Sequence, residues 1–231
     1  SDLTLQVLQQ EVSKDFISPY SNSIDRFHCF IRSKNLDLTE LHKGKRTSYT
    51  KLNIGGETNL ILGLIHGPDL RNYDSAARQS FAERLGEEAR FVISEKRNNK
   101  MMLLGDFNMN PYDRAMNLAS GYNAMSTKAC THAKKRTHLE DKYDFYYNPM
   151  WGILGDSSVG PAGTVFDTSN QGQYGWSTFD QVLFHHAALK YYDQVKIISE
   201  AGTINLATSK GHPNSKEYSD HFPILISLCE G

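Results

Sequence analysis

The stretch MMLLGDFNMNPYD, Met101 to Asp113, decides how the rest of the chain is read. Met101 to Leu104 has the length and character of a buried strand, and Gly105, Asp106, Asn108, Asn110 and Pro111 are residues that turn a chain. Taken alone, the segment reads as an ordinary strand leaving a sheet. Yet an acid and two amides delivered to the tip of a buried strand also describe a catalytic loop, because loops held by a rigid scaffold carry much of enzyme chemistry. The two readings separate only if other strands bring matching chemistry to their own ends.

Upstream, NLILGLIH (Asn59 to His66) is another nearly continuous apolar run, the mark of a strand covered on both faces. Between the two runs, Phe81, Leu85, Ala89 and Val92 recur at helical spacing and predict one amphipathic helix within residues 75–97. RFHCFIRS (Arg26 to Ser33) and TSYTKLNI (Thr47 to Ile54) are rich in aromatic and β-branched residues and read as strands. Leu3, Val7, Leu8 and Val12 give residues 2–14 the pattern of a short amphipathic helix. Downstream, a polar and aromatic stretch, residues 110–178, is longer than an ordinary connection and is expected to hold short helices and functional loops. Three more strands follow it: FDQVLF from Phe179, QVKIIS from Gln194 and PILISL from Pro223. Strands dominate, with at least one crossover helix, which predicts a layered α/β fold with sheets packed together and helices outside.

The 231 residues suit a sizeable core, and no repeat, low-complexity tract or linker divides them. A formal charge of −1 provides no basic field of the kind that coats nucleic acid, although an enzyme gripping a few phosphates needs none. Cys29, Cys130 and Cys229 are widely spaced and odd in number, so they read as reduced thiols of a cytoplasmic protein rather than a zinc site. No apolar run approaches the roughly 20 residues of a membrane span, and no signal-peptide pattern opens at Ser1.

The other strand borders carry matching chemistry. NLILGLIH ends on His66, followed by Gly67, Pro68 and Asp69. Asp180 opens FDQVLF behind Trp176-Ser177-Thr178, and Ser219-Asp220-His221 stands just before PILISL. Each has a plain explanation as a surface histidine or a turn cap, but the set fits one task. A carboxylate beside an imidazole fixes its tautomer and stabilises its charged form. Asp and Asn together can orient and deprotonate a water. Carboxylates can hold Mg²⁺ while leaving positions for waters and a phosphate. This is equipment for attack on phosphorus, where developing negative charge needs cations and donors nearby.

GDFN, SDH before a strand, a histidine ending an apolar strand ahead of Gly-Pro, and the FDQV strand, in this order, resemble the endonuclease/exonuclease/phosphatase superfamily, to which deoxyribonuclease I-like enzymes belong. The resemblance implies a four-layer α/β/β/α sandwich of two packed mixed sheets with outer helices, and an active site at one rim. It makes Asp106 the base that activates water and a candidate metal ligand. Asn108 would orient that water or bind phosphate, and His66 and His221 would contact the phosphate. Asp180 would orient a histidine or join the metal site, and Asp220 would hold His221 or bind metal. Phe145 to Trp151 (FYYNPMW) also looks like bacterial members, although a packed aromatic loop is the favoured reading. Arg71 and Asn148 are candidate phosphate contacts; the Lys134-Lys135-Arg136 triplet could also touch phosphate, although a solvated turn is the usual reading of such a run.

The chain departs from the superfamily in one region. Its members begin with a Trp-Asn strand and a strand ending in a metal-binding Glu, and neither is evident here. Glu11 resembles that Glu only superficially, because its neighbourhood reads as helix. The expectation is therefore a single domain over 1–231, incomplete at its N-terminus, with a preceding segment or another chain supplying the further strands. The expected activity is a Mg²⁺-dependent phosphodiesterase (Mn²⁺ as the alternative ion), most simply a nuclease with nucleic acid as substrate and no membrane association. The competing expectations are a phosphatase of a small phosphoester or inositol phosphate, and an inactive relative that binds nucleic acid or protein.

Overall fold

The order of elements follows the alternation of apolar runs and turn residues. The computed structural model describes residues 2–18, 26–33, 35–56, 58–155, 158–169 and 175–229. Its first half holds α1 (Asp2–Glu11), β1 (Leu36–Lys43), β2 (Thr47–Ile54), β3 (Thr58–His66), α2 (Ser75–Lys96) and β4 (Met101–Asp106). After these come α3 (Arg114–Asn117), β5 (Ala124–Met125), the β6 (Lys135–His138) and β7 (Asp141–Asp144) hairpin, and β8 (Tyr146–Tyr147). The last part contains β9 (Val165–Asp167), β10 (Gly175–Ser177), β11 (Asp180–His185), β12 (Tyr192–Ile197), β13 (Glu200–Ala201), β14 (Ile204–Asn205) and β15 (Ile224–Leu228).

A seven-stranded mixed sheet, ordered β1-β2-β3-β4-β11-β8-β5, organises the molecule. β3 and β4 are parallel neighbours, and α2 makes the crossover between them. Side chains alternate across the sheet. Ile61, Ile65, Met101 and Leu103 pack with Phe81, Leu85, Ala89 and Val92 of α2, while Leu60, Met102, Val182 and Phe184 pack on the opposite face with Val195 and, half-buried, Ile224 and Ile226. The two continuous apolar runs are thus explained: both faces of β3 and β4 are covered. Each fully buried Leu or Ile contributes about 2 kcal/mol. Asp74 caps α2, its carboxylate accepting from the Ala77 N–H at 2.8 Å, and Arg97 ends it in the left-handed region at φ 49°.

Helix, sheet and a second strand layer stack as expected of an α/β sandwich, with one correction. Among the described residues the second layer is not a single mixed sheet but separate pairs, β12-β15, β9-β10 and β13-β14, with β6-β7 as a further hairpin. β9, β10, β13 and β14 are only two or three residues long, too short to propagate a ladder. RFHCFIRS is also corrected: among the described residues it contributes only a bridge from Ile31 to Ile17. The edge strand is instead β1, LDLTELHK, whose polar alternation hid it. α1 forms where the pattern put it, yet Val7 and Val12 remain 48 % and 59 % exposed.

Candidate active site

Strand register brings the predicted rim together. In the parallel β3-β4 pair His66 stands opposite Asp106, and in the antiparallel β4-β11 pair Asp106 stands opposite Asp180. Adjacent strands lie about 4.8 Å apart, so three functional side chains occupy neighbouring positions at one end of three central strands. The glycines of these segments make the approach possible. Gly105 has φ 143°, and a Cβ there would run into the Ile65 carbonyl. A Cβ on Gly67 would strike the Phe107 carbonyl, while the Gly67 N–H donates to the Asp106 carbonyl at 2.7 Å.

Asn108 turns back onto the acid beside it. Its backbone is left-handed at φ 51°, a conformation Asn tolerates. The backbone N–H reaches Asp106 Oδ1 at 2.8 Å, and Nδ2 reaches Asp106 Oδ2 at 2.8 Å and the Gly67 carbonyl at 3.3 Å. Asn108 is therefore a clamp that aims Asp106 and ties it to the β3 exit. The loop is braced further by Arg78, which donates to the Asn108 carbonyl at 3.2 Å, and by Arg46, which donates to the Gly67 carbonyl at 3.0 Å.

His221 arrives from the far end of the sequence. Its Nδ1 is 2.7 Å from Asp180 Oδ2, so Nδ1–H donates to the carboxylate and Nε2 is turned away from it. The loop is fixed by a bridge from His221 to Val165, by the Phe222 N–H on the Thr164 carbonyl at 2.8 Å, and by the His221 N–H on Ser219 Oγ at 3.1 Å. Beside the Asp180–His221 pair lies a hollow of about 370 Å³, bounded by Leu206, Tyr218, Phe222 and Pro223.

Electrostatics divide the acid from the cation. Burial, and then the charge of Asp180, raise Asp106 above the ordinary carboxylate range, against the pull of the Asn108 N–H, His221 and His66. For His221 burial works downward, but the hydrogen bond and charge of Asp180, followed by the charges of Asp106 and Asp220, outweigh it and raise the ring to about 9. At neutral pH the site thus combines a basic carboxylate with an imidazolium.

The remaining candidates divide. Asp220 is exposed next to His221, and Arg71 is exposed on the loop after β3, where its charge adds to the Ser169 hydrogen bonds that lower Asp167. Asn148 is corrected: it is fully buried, its Nδ2 donates to Gln181 Oε1 at 2.7 Å, and its Oδ1 accepts the Met150 N–H at 3.0 Å as a helical-turn cap. The FYYNPMW segment is packed accordingly, with Phe145, Tyr146 and Met150 all buried. The basic triplet serves the fold. Lys135 pairs with Asp144 at 3.3 Å and Arg136 donates to the Asn117 carbonyl, on the β6-β7 hairpin away from the rim. Glu11 is exposed at the end of α1.

Two positioning residues escaped the sequence. Thr164, fully buried, accepts the Phe179 and Asp180 N–H groups on Oγ1 at 3.1 and 3.2 Å. Asn110 accepts the Thr178 N–H at 2.8 Å and joins the GDFN loop to the segment before β11. Asn110 lies inside the decisive stretch and its amide before Pro111 was a usable signal; nothing in the sequence marks Thr164.

Among the described residues the rim holds no three His, Cys, Asp or Glu ligand atoms within 4.8 Å of one another. Mg²⁺ asks for less, since it keeps several waters and takes one or two carboxylates together with substrate phosphate. Asp106, half-buried beside Asp180, and the exposed Asp220 are carboxylates of the type such an ion takes.

No protein-family model and no curated protein matches the sequence. Solved structures do match in fold. Truncated TDP2 of Caenorhabditis elegans is 17 % identical with a TM-score of 0.53, over 98 % of this chain and 79 % of that one. An endonuclease/exonuclease/phosphatase family protein of Bacteroides thetaiotaomicron is 12 % identical with a TM-score of 0.54, over 98 % of this chain and 77 % of that one. TDP2 of D. rerio complexed with a single strand DNA product is 15 % identical with a TM-score of 0.52, over 99 % of this chain and 82 % of that one. The chain therefore has the α/β sandwich fold of the endonuclease/exonuclease/phosphatase, deoxyribonuclease I-like structures.

Proposed function

We propose that this protein is a Mg²⁺-dependent phosphodiesterase, a nuclease that hydrolyses a phosphodiester of DNA or RNA at the rim formed by His66, Asp106, Asp180 and His221. The observation that carries the reading is the meeting of Asp106, clamped by Asn108 on both oxygens, with an Asp180–His221 pair at 2.7 Å. The fold shared with a TDP2 structure holding a single strand DNA product supports nucleic acid as the substrate.

Asp106 accepts a proton from water, and burial makes it a stronger base for that step. The hydroxide so formed attacks phosphorus in line with the departing oxygen. His221, oriented by Asp180, presents Nε2–H to the phosphoryl oxygens, where a cation stabilises the charge that develops. His66 donates beside it, and Asp180 keeps the imidazolium charged throughout. Asp106 and Asp220 would hold Mg²⁺, which when bound supplies further polarisation of the phosphoryl oxygens. Arg71, on the same rim, would contact a flanking phosphate. Unpaired Cys29, Cys130 and Cys229 suit a reducing, cytoplasmic setting.

The test is cleavage of end-labelled single- and double-stranded DNA, RNA and a soluble phosphomonoester, with Mg²⁺ or with EDTA, by the wild type and by Asp106→Ala and His221→Ala. Mg²⁺-dependent scission of a nucleic acid that both substitutions abolish is expected. Cleavage indifferent to EDTA, or surviving both substitutions, overturns the proposal.

A further inference from the structure

His185 and His186 have no part in the rim chemistry. They lie at the end of β11 opposite Asp180, roughly 17 Å away at about 3.3 Å per residue. With Asp144, the last residue of β7, they place three ligand atoms within 4.8 Å of one another. Asp144 Oδ1 lies 3.0 Å from His186 Nε2 and 3.6 Å from His185 Nε2. The edge of a tetrahedron with metal–ligand bonds near 2.1 Å is about 3.4 Å, between these two values. His185 is fully buried, and its Nε2 has no hydrogen-bond partner. At 3.6 Å its approach to Asp144 is too long for a hydrogen bond. A buried ring nitrogen left in this condition is destabilising unless something occupies the gap.

We propose that Asp144, His185 and His186 form a second metal site, separate from the rim, that takes a zinc-like transition-metal dication and fastens the β6-β7 hairpin to the end of β11. Two imidazoles and one carboxylate suit Zn²⁺ or Co²⁺ and not Mg²⁺, which prefers oxygen donors throughout. Lys135 Nζ, 3.3 Å from Asp144 Oδ2, holds the second carboxylate oxygen and leaves Oδ1 as the single donor. Without metal, His185 Nδ1 accepts the Ala187 N–H at 3.2 Å, so its proton is on Nε2. Metal entry moves that proton to Nδ1, frees Nε2 to ligate, and releases the Ala187 N–H. The His186 proton that faces Asp144 moves likewise to its outer nitrogen. The cost is the Ala187 hydrogen bond and a small turn of that N–H away from the His185 Nδ1–H that then faces it, set against three metal bonds. With three protein ligands the fourth position is left to water.

Chelator-stripped protein titrated with Co²⁺ tests this directly. One equivalent is expected to give the intense visible absorption of tetrahedral cobalt, in wild type and in Asp106→Asn alike. In Asp106→Asn, where a proposed rim ligand for Mg²⁺ is removed, Zn²⁺, and not Mg²⁺, should raise Tm by several degrees. His186→Gln should lose both signals, and Asp144→Asn gives an independent check should that variant unfold, with far-UV circular dichroism verifying the fold of each. Absence of the cobalt band in wild type, equal stabilisation of Asp106→Asn by Mg²⁺ and Zn²⁺, or signals undiminished in both variants overturns the site.

Discussion

Asp106 carries opposed demands: it must stay ionised to accept a proton, yet burial and Asp180 raise its pKa. Asn108 reconciles them by donating to both oxygens. Asp106→Asn should lower turnover by about 10²–10⁴, the usual contribution of a general base, without a change in circular dichroism. The His221 pair predicts the alkaline side. With the ring at about 9, activity should persist above neutrality and fall as pH passes through about 9; Asp180→Asn should move that limb down toward the ordinary histidine value of about 6.5. A pH–rate profile and an NMR titration of the ring check this. The same shift has a stability consequence. Because the folded pKa is raised, the stabilisation is complete below about 6.5 and is lost as pH rises toward about 9, on the order of 2 kcal/mol after allowance for partial exposure. His66, Asp106, Asn108, Asp180 and His221 were legible because each adjoins an apolar strand that announces itself. Asn108's task was not, since its clamp depends on a left-handed backbone that no spacing reveals. Thr164 was hidden for a related reason: a buried hydroxyl takes its role from partners 15 and 16 residues away.

β3, α2 and β4 form the unit that sets the rim. The two apolar runs and the helical stripe between them specify it by local pattern, which is why the sequence located all three. Leu103, 2 % exposed, packs at its centre, and Leu103→Ala should destabilise by about 2–5 kcal/mol in denaturant unfolding. Gly105→Ala tests backbone closeness rather than volume. At φ 143° and against the Ile65 carbonyl, the added methyl should lower Tm and depress turnover together, because it displaces Asp106 from His66. A variant with normal stability and normal rate would show that the tight β3-β4 approach is dispensable. Elements with weaker local signals were misread. β1 alternates polar and half-buried residues, the signature of an edge, and RFHCFIRS has strand composition without a neighbour to pair among the described residues beyond the single Ile17–Ile31 bridge. Asn148 failed differently. It stands in a segment read chiefly as a packed aromatic loop, and that packing gives its amide to Gln181.

Across the whole molecule, residues from position 66 to position 221 are gathered by one sheet order, β3-β4-β11, with the His221 loop laid over it through Thr164. That coupling predicts non-additivity. Asp180→Asn and His221→Ala should each slow cleavage, and the double variant should be little worse than His221→Ala, because Asp180 acts through the ring it orients. The layering was legible in outline from runs of continuous apolarity; the division of the second layer into pairs was not, because strands of two or three residues carry no periodic signal. The central claim is that distant loops share one phosphate, and the most direct measurement is an NMR titration with thymidine 5′-monophosphate and Mg²⁺. The ring signals of His66 and His221 and the side-chain amide of Asn108 should move together on a single binding isotherm. Saturation that leaves any of the three unmoved would contradict the account.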